Sequence, residues 1–138
     1  MDLYLGLGTN LGDREANLRT AAELIGQRVG RVKALSSFYV TAPWGFASDN
    51  DFLNAVACVE TDIPPMELLG ITQGIERDMG RKEKSAGHVY HDRIIDIDIL
   101  LYGDMTIDSP ALTIPHPLIW ERDFVMRPLR EIAGDVKL

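Results

Sequence analysis

The segment 93–102 places two carboxylates inside an otherwise apolar run. Asp96 and Asp98 stand two residues apart and alternate with isoleucines. Because successive side chains of a strand point to opposite faces, both acids should lie on one face of a strand. Carboxylates on a largely buried strand need a neutralising partner, and Mg²⁺ binds through one or two carboxylates plus substrate phosphates. We therefore expect a magnesium site here; the alternative is a pair of solubilising charges at a strand edge.

A short basic segment lies directly before this strand. The preceding residues 49–80 carry seven acids and one base, whereas bases outnumber acids in 81–93. The bases of this segment are Arg81, Lys82, Lys84 and Arg93. Polyphosphates are bound by cations that hold their oxygens and by metal that bridges them. Next to the acid pair, these charges favour a polyphosphate site, although a charge run alone would indicate a solvated loop.

The composition limits the class of protein. A chain of 138 residues, 46% hydrophobic and 25% charged, is typical of one globular domain, which we expect to span 1–138. No apolar run approaches the ~20 residues of a membrane-spanning helix, and the first residues do not resemble a signal peptide, so we expect a cytoplasmic protein without a membrane partner. The net charge of −7 argues against a nucleic-acid partner. The single cysteine, Cys58, lies in an alternating apolar run and should pack in the core.

Strands and helices alternate along the chain. The pattern predicts strands at 3–8, 32–39, 52–60 and over the two acids, and helices at 14–28, 65–79 and 123–132. Asp13 should cap the first helix and Gly80 should end the second. The order strand, helix, strand, strand, helix, strand is that of an α+β ferredoxin-like sandwich with a helical C-terminal tail. We expect the helices to cover one face of a mostly antiparallel sheet, leaving loops such as 41–50 to build a site.

Six ordered segments resemble one known family over nearly the whole chain. They are LGLGTNLGD (5–13), SSFYVTAPWG (36–45), FLNA (52–55), GR (80–81), RIIDIDIL (93–100) and PHP (115–117). On these segments the chain resembles 6-hydroxymethyl-7,8-dihydropterin pyrophosphokinase. The resemblance implies a ferredoxin-like α+β domain that transfers pyrophosphate from ATP to the pterin in folate biosynthesis, with AMP as the leaving group. We expect no fused folate-pathway domain.

The resemblance implies a role for each charged residue. Asp96 and Asp98 match the ligands of two Mg²⁺ ions, and Arg81 and Arg93 match arginines that contact the transferring phosphates. Positions near the nucleotide are Gln73, Glu76, Thr113, His116 and Arg122. On composition alone, Gln73 and Glu76 would form a solvated helix face.

The resemblance also implies a pterin site. Phe52 and Phe124 match two aromatic residues that sandwich the ring, and Asn54 matches the residue that bonds its edge. Thr41, Ala42 and Trp44 match a loop whose backbone groups read the remaining polar edge. The alternative for the two phenylalanines is core packing. An asparagine buried in an apolar strand requires a partner, which a polar ligand would supply.

The basic loop departs from the family pattern. Many relatives have a second arginine two residues after the first, and a Trp-Gly-Pro-Arg run, whereas Glu83 stands here and the run reads Tyr90-His91-Asp92-Arg93. Lys82 or Lys84 is expected to supply the missing charge, and Tyr90 to cover the bound ligands. An ammonium group does not reproduce a guanidinium fork, so residue roles within 82–92 are open.

Two other classes of function compete with the enzyme. A non-catalytic ferredoxin-like regulatory module would bind a small ligand or metal, but it has no need for a phosphate site and a ring site together. A γ-phosphate kinase is disfavoured because the glycines between Gly6 and Gly12 lack the lysine of a phosphate-binding loop, and we expect them to serve the strand-to-helix turn. The expected partners are ATP and the pterin, bound by a monomer.

Overall fold

A five-stranded antiparallel sheet lies at the centre of the molecule. The structure is a computed structural model that describes residues 1–41, 51–80, 94–119 and 121–133. In chain order the elements are β1 (Asp2–Thr9), α1 (Arg14–Arg28), β2 (Arg31–Leu35), β3 (Tyr39–Thr41), β4 (Phe52–Glu60), α2 (Pro65–Asp78), β5 (Asp96–Tyr102), β6 (Ile107–Asp108), β7 (Thr113–Ile114) and α3 (Asp123–Ala133). The predicted alternation of strands and helices is confirmed.

The strand order brings distant segments side by side. The sheet runs β2-β4-β1-β5, and β3 also pairs with β4. Gly8 of β1 lies opposite Asn54 of β4 and Asp96 of β5, and Gly6 lies opposite Asp98. A row across three strands therefore contains a carboxylate, a glycine and an amide on the same face.

One face of the sheet packs against α1 and α2. Alternate β1 residues Leu3, Leu5 and Leu7 point to this face and are buried together with leucines and isoleucines of the two helices. Helix α1 has the predicted bounds, and the Asp13 side chain accepts a hydrogen bond from the Ala16 backbone nitrogen at 3.1 Å. Helix α2 is followed by Gly80 with a φ of 113°, a conformation that favours glycine. The Asp13 cap and the glycine that ends α2 were both predicted from the sequence.

Helix α3 packs on the opposite face. Its buried residues Val125, Met126 and Leu129 join Val56 of β4 and Leu100 of β5 in a second, smaller core. The expectation that the helices cover one face was therefore wrong for the C-terminal helix. Both faces of the sheet carry apolar residues, and an amphipathic helix can pack on either. In the described part of the chain, every helix is too short or too polar to cross a membrane.

The predicted strand at 32–39 is divided into β2 and β3. Ser36 stands between them, where its backbone N–H donates to the Val56 carbonyl and its hydroxyl accepts from the Val56 N–H, both at 2.9 Å. The side chain thus takes the place of a backbone carbonyl in the ladder, and the strand direction can change. Cys58 of β4 is buried, as expected.

Candidate functional site

Seven residues singled out from the sequence line one cleft on the α3 side of the sheet. They come from β3, β4, β5 and the start of α3: Thr41, Phe52, Asn54, Asp96, Asp98, Arg122 and Phe124. Residues 41 and 122 are separated by most of the chain and are brought together by the pairing of β3 with β4 and by the packing of α3 on the sheet. The cleft thus contains acidic, basic, amide and aromatic groups.

The acidic side of the cleft is formed by β5. Asp96 and Asp98 are partly buried and line the cleft, while Ile97 between them packs in the opposite core. Among the residues that the structure describes, no group of three or more histidine, cysteine, aspartate or glutamate side chains could hold a metal ion. Two carboxylates nevertheless fit Mg²⁺, which completes its octahedral shell with water and substrate phosphates.

Two glycines of β1 form the floor of the cleft. Gly6 and Gly8 lie across from the two acids, so β1 places no side chain between β5 and β4. A Cβ atom at Gly8 would lie 3.1 Å from Asn54 Oδ1 and 3.6 Å from Phe52 Cδ1. The missing side chain leaves room for a ligand between the acids and the amide.

A buried arginine provides positive charge. Arg122 is 9% exposed, its Nη1 lies 3.8 Å from Asp98 Oδ2, and its guanidinium carbon lies 5.5 Å from the centroid of the Phe124 ring. The carboxylate and the aromatic ring orient the guanidinium. A planar cation held beside Asp98 suits a phosphorylated ligand, whose oxygens it can bind in pairs.

His116 is fixed to β5 next to the cleft. Its backbone N–H donates to the Leu100 carbonyl at 3.0 Å, and its Nδ1 accepts from the Leu118 N–H at 3.2 Å. Burial, and then the Arg122 charge, lower the pKa of His116 below its ordinary value of 6.5, and Asp96 opposes this shift. The ring is therefore neutral near pH 7, and the bond from Leu118 assigns its proton to Nε2.

The amide side of the cleft is ordered by an internal hydrogen bond. Asn54 is 5% exposed, and its Nδ2 donates to Thr41 Oγ1 at 2.6 Å. Thr41 lies opposite Phe52 in the pairing of β3 with β4. One of the two N–H donors of the Asn54 amide is thus satisfied within the protein, and the orientation of the amide is set before any ligand binds.

Comparison with known proteins identifies the family. Residues 4–134 match the family model of 7,8-dihydro-6-hydroxymethylpterin-pyrophosphokinase (HPPK). The chain belongs to this family. It is 53% identical over 132 residues to the 2-amino-4-hydroxy-6-hydroxymethyldihydropteridine pyrophosphokinase of Porphyromonas gingivalis, covering 95% of this chain and 90% of the relative. The Bacillus subtilis protein of the same name is 40% identical over 135 residues, covering 97% of this chain and 79% of the relative.

Solved structures support the fold of this HPPK family member. Wild-type Plasmodium falciparum HPPK-DHPS, crystallised with pteroate, aligns with a TM-score of 0.73 at 18% identity, over 94% of this chain and 38% of the longer protein. A second Plasmodium falciparum HPPK-DHPS crystal structure gives a TM-score of 0.75 at 18% identity, over 95% of this chain and 39% of that protein. At this identity the likeness concerns the fold, and it confirms the predicted ferredoxin-like α+β class.

Three predicted nucleotide contacts lie away from the lining of the cleft. Gln73 is exposed on α2, and Thr113 lies in β7, paired with Asp108. Glu76 is 5% exposed, and its Oε2 accepts from the Ile97 backbone N–H at 2.8 Å. The alternative that Glu76 belongs to a solvated helix face was therefore wrong: α2 uses this carboxylate to bind the outer edge of β5. The nucleotide role of all three residues stays a prediction.

Six predicted site residues lie outside the described residues. They are Ala42 and Trp44, which follow β3 in the sequence, and Arg81, Lys84, Tyr90 and Arg93 of the basic segment. Their roles stay predictions.

Sequence reasoning missed the two floor glycines. Gly12, with a φ of 69°, does serve the strand-to-helix turn, but Gly6 and Gly8 lie within β1 and line the cleft. Their alternation with leucines was the available signal, because period two places them on the face opposite the core.

Proposed function

We propose that this HPPK-family chain transfers a pyrophosphoryl group from ATP to the hydroxymethyl oxygen of 6-hydroxymethyl-7,8-dihydropterin and releases AMP, in folate biosynthesis. The observation that carries the proposal is a single cleft lined by groups suited to phosphate and by groups suited to a flat ring. In the reaction, the hydroxymethyl oxygen forms a bond to the β-phosphorus and loses its proton, and the bond between that phosphorus and the oxygen bridging to the α-phosphate breaks, so that AMP leaves. A non-catalytic regulatory module is not favoured, since the relatives named above are pyrophosphokinases.

The ring-binding side takes the pterin in this proposal. Phe52 and Phe124 stack on the ring, which is worth about 1 kcal/mol beyond the buried area. The Asn54 amide, already oriented by Thr41, meets the polar ring edge. Backbone groups from Thr41 to Trp44, including Ala42, read the rest of that edge.

The phosphate-binding side takes the triphosphate. Asp96 and Asp98 would hold two Mg²⁺ ions, whose positive charge would neutralise the phosphate oxygens. Arg122 contributes a buried guanidinium, and we assign the same function to Arg81 and Arg93 of the basic segment. Lys84 and Tyr90 would complete and cover the nucleotide site, and Gln73, Glu76 and Thr113 would lie on its outer side.

His116 acts as a neutral hydrogen-bond donor in this proposal. The backbone bond to Leu100 and the bond from Leu118 fix its ring, so Nε2–H can donate to a phosphate oxygen without a change of charge. Arg122 and His116 would neutralise and position the phosphate groups, and neither would form a covalent bond to the substrate. Catalysis then rests on positioning and electrostatic stabilisation, as phosphoryl-type transfers require.

We further propose that residues 1–138 act as a single domain, as a monomer and in the cytoplasm, where ATP is supplied. Only small molecules are expected as partners, and the acidic net charge of −7 disfavours binding to nucleic acid. Light scattering of the purified protein tests the monomer, and a mass near twice that of the chain would contradict it.

The nucleotide product is the deciding measurement. The protein is incubated with ATP, Mg²⁺ and the hydroxymethyl dihydropterin, and the nucleotides are separated by chromatography. AMP should appear in a one-to-one ratio with the pterin diphosphate. ADP as the sole nucleotide product would overturn pyrophosphoryl transfer.

A further inference from the structure

A carboxylate joins α3 to the segment around β3, outside the cleft lining. Glu131, near the end of α3, accepts hydrogen bonds from the Tyr39 hydroxyl at 2.5 Å, the Ser37 backbone N–H at 2.8 Å and the Ser37 hydroxyl at 3.0 Å. The Arg127 guanidinium carbon lies 5.4 Å from the centroid of the Tyr39 ring. We call these four residues the α3–β3 contact.

The contact connects two elements that carry residues of the ring-binding side of the cleft. Phe124 precedes Glu131 on α3 by about two helical turns, so both lie along one side of the helix. Tyr39 precedes Thr41 on β3 by two residues, so both side chains point to the same face of the sheet. Through Glu131, the helix that carries Phe124 is bound to the strand that carries Thr41.

Strand β3 has few other attachments in the described structure. It has three residues, all paired with β4, with Tyr39 opposite Asn54 and Thr41 opposite Phe52. Thr41 Oγ1 accepts the bond that orients the Asn54 amide, at 2.6 Å. A shift of this short edge strand would therefore move the amide that faces the ring site.

We infer that Glu131 is a positioning residue for the ring-binding side of the cleft. By holding β3 against α3 it fixes the spacing between Phe124 on one side and the Thr41–Asn54 pair on the other. This inference rests on the proposed function, in which that side takes the pterin. Glu131 does not line the cleft, so its effect is exerted through the residues that it holds.

The test compares Glu131 variants with a matched carboxylate elsewhere on the sheet. Glu60 of β4 is also exposed and binds the edge strand β2 through Arg31, with Oε2 and Nη2 2.6 Å apart, but it has no part in the cleft. The variants are Glu131→Ala, Glu131→Gln, Tyr39→Phe and Glu60→Ala. For each, the KM values for pterin and ATP, kcat, the melting temperature and the pterin Kd from calorimetry are measured.

We expect Glu131→Ala to raise the pterin KM and Kd about tenfold, with the ATP KM and kcat within about twofold of wild type. Glu131→Gln keeps an acceptor oxygen and should recover part of the loss. Tyr39→Phe keeps the ring under Arg127 and removes only the hydroxyl, so it serves if the alanine variant does not fold; it should raise the pterin KM less than Glu131→Ala. Glu60→Ala should leave the pterin constants unchanged.

An unchanged pterin Kd in Glu131→Ala, or an equal rise in Glu60→Ala, would overturn the inference. A parallel change of kcat and both KM values would reduce Glu131 to a structural role and would overturn it too. Wild-type protein that binds pterin but releases no AMP would instead overturn the proposed function, and the pterin Kd would still decide on Glu131. Wild-type protein that binds no pterin would overturn both.

Discussion

The two faces of the sheet are built from the same strands and differ in almost every other respect. The face towards α1 and α2 is filled with leucine, isoleucine, valine and alanine. The face towards α3 is covered by apolar residues only in part, and beside them carries Gly8, Asn54, Asp96 and Asp98. In β1 the two faces alternate residue by residue, with Leu3, Leu5 and Leu7 on one face and Tyr4, Gly6 and Gly8 on the other.

This comparison shows how a small domain supports a polar cleft. Burial of alternate residues on the face towards α1 and α2, the closed face, stabilises the fold. The face towards α3, the open face, can therefore hold carboxylates, an amide and glycines that contribute little to the core. Substitutions on the closed face should change the free energy of unfolding, and substitutions on the open face should change ligand binding and rate. The following variants test that separation.

Removal of either acid should have the largest effect. Asp96→Ala and Asp98→Ala should each lower kcat by about a hundredfold to a thousandfold, because the phosphate charge is no longer neutralised. The melting temperature should stay close to that of the wild type, since both acids are partly exposed. Asp108→Ala, on β6, is the control and should keep full activity. Full rates in both acid variants would remove the metal-site proposal.

A cavity on the closed face should act on stability alone. Leu5 is fully buried in β1, between Tyr4 and Gly6 on the opposite face. Leu5→Ala should lower the free energy of unfolding by about 2–5 kcal/mol, measured by urea denaturation. The pterin KM of the folded fraction should not change. A selective rise of that KM would show that the two faces are not separable.

A methyl group on the floor of the cleft should do the reverse. Gly8→Ala places a Cβ 3.1 Å from Asn54 Oδ1, which crowds the amide and fills ligand space, so we expect the pterin KM to rise about tenfold. The change in unfolding free energy should be smaller than for Leu5→Ala. The pterin KM is measured by steady-state kinetics with each substrate varied in turn, and the unfolding free energy by urea denaturation.

The matched control is another glycine-to-alanine change. Gly26 is exposed in α1, and a Cβ there meets only Val32 Cγ2, at 3.9 Å. Gly26→Ala should stabilise the protein by about 1 kcal/mol, because alanine has the higher helix propensity, and leave both KM values unchanged. A pterin KM that is equally insensitive to Gly8→Ala would contradict the proposed floor of the cleft.

The smallest effect concerns pH and the α3–β3 contact. The hydrogen bond from Tyr39, and then those from Ser37, lower the pKa of Glu131 below its ordinary value of 4.5. A lowered carboxylate pKa stabilises the folded state above the unfolded-state pKa, and this contribution is lost as pH falls through the folded-state pKa. The difference in melting temperature between wild type and Glu131→Gln should therefore be constant from neutral pH to about pH 5 and shrink below it. A difference that grows in acid would contradict the carboxylate's role.

Local signals made much of the fold predictable. The bounds of α1 follow from an apolar period of 3.6 residues and the Asp13 cap, and those of β4 from a continuous apolar run. The sheet face on which α3 packs could not be predicted, because it depends on which side of the folded sheet has a complementary apolar surface. The division of the predicted strand into β2 and β3 could not be predicted. The Ser36 hydroxyl there replaces a backbone acceptor, and strand propensities do not describe such a hydrogen bond.

The composition of the cleft was predictable where residue types carry their own chemistry. The two acids, the aromatic pair and Asn54 stand out in the sequence, and the resemblance to a family gave them roles. Gly6 and Gly8 were misplaced because glycine signals both turns and close approach. The bonds of Glu76 and Glu131 were not foreseen, since both join elements that are distant in the chain.

The alternation of leucine and glycine in β1 also restricts how this gene can change in length. A single residue inserted between Leu5 and Gly6 would exchange the inward and outward sets of one half of the strand, burying the glycine side and turning leucine into the cleft. A substitution in β1 therefore affects mainly stability or mainly ligand binding, depending on the face of the residue that changes. An insertion or deletion of an odd number of residues disrupts the core and the cleft together. The order in which leucine and glycine alternate, and not only the composition, therefore determines whether β1 can contribute to both the core and the cleft.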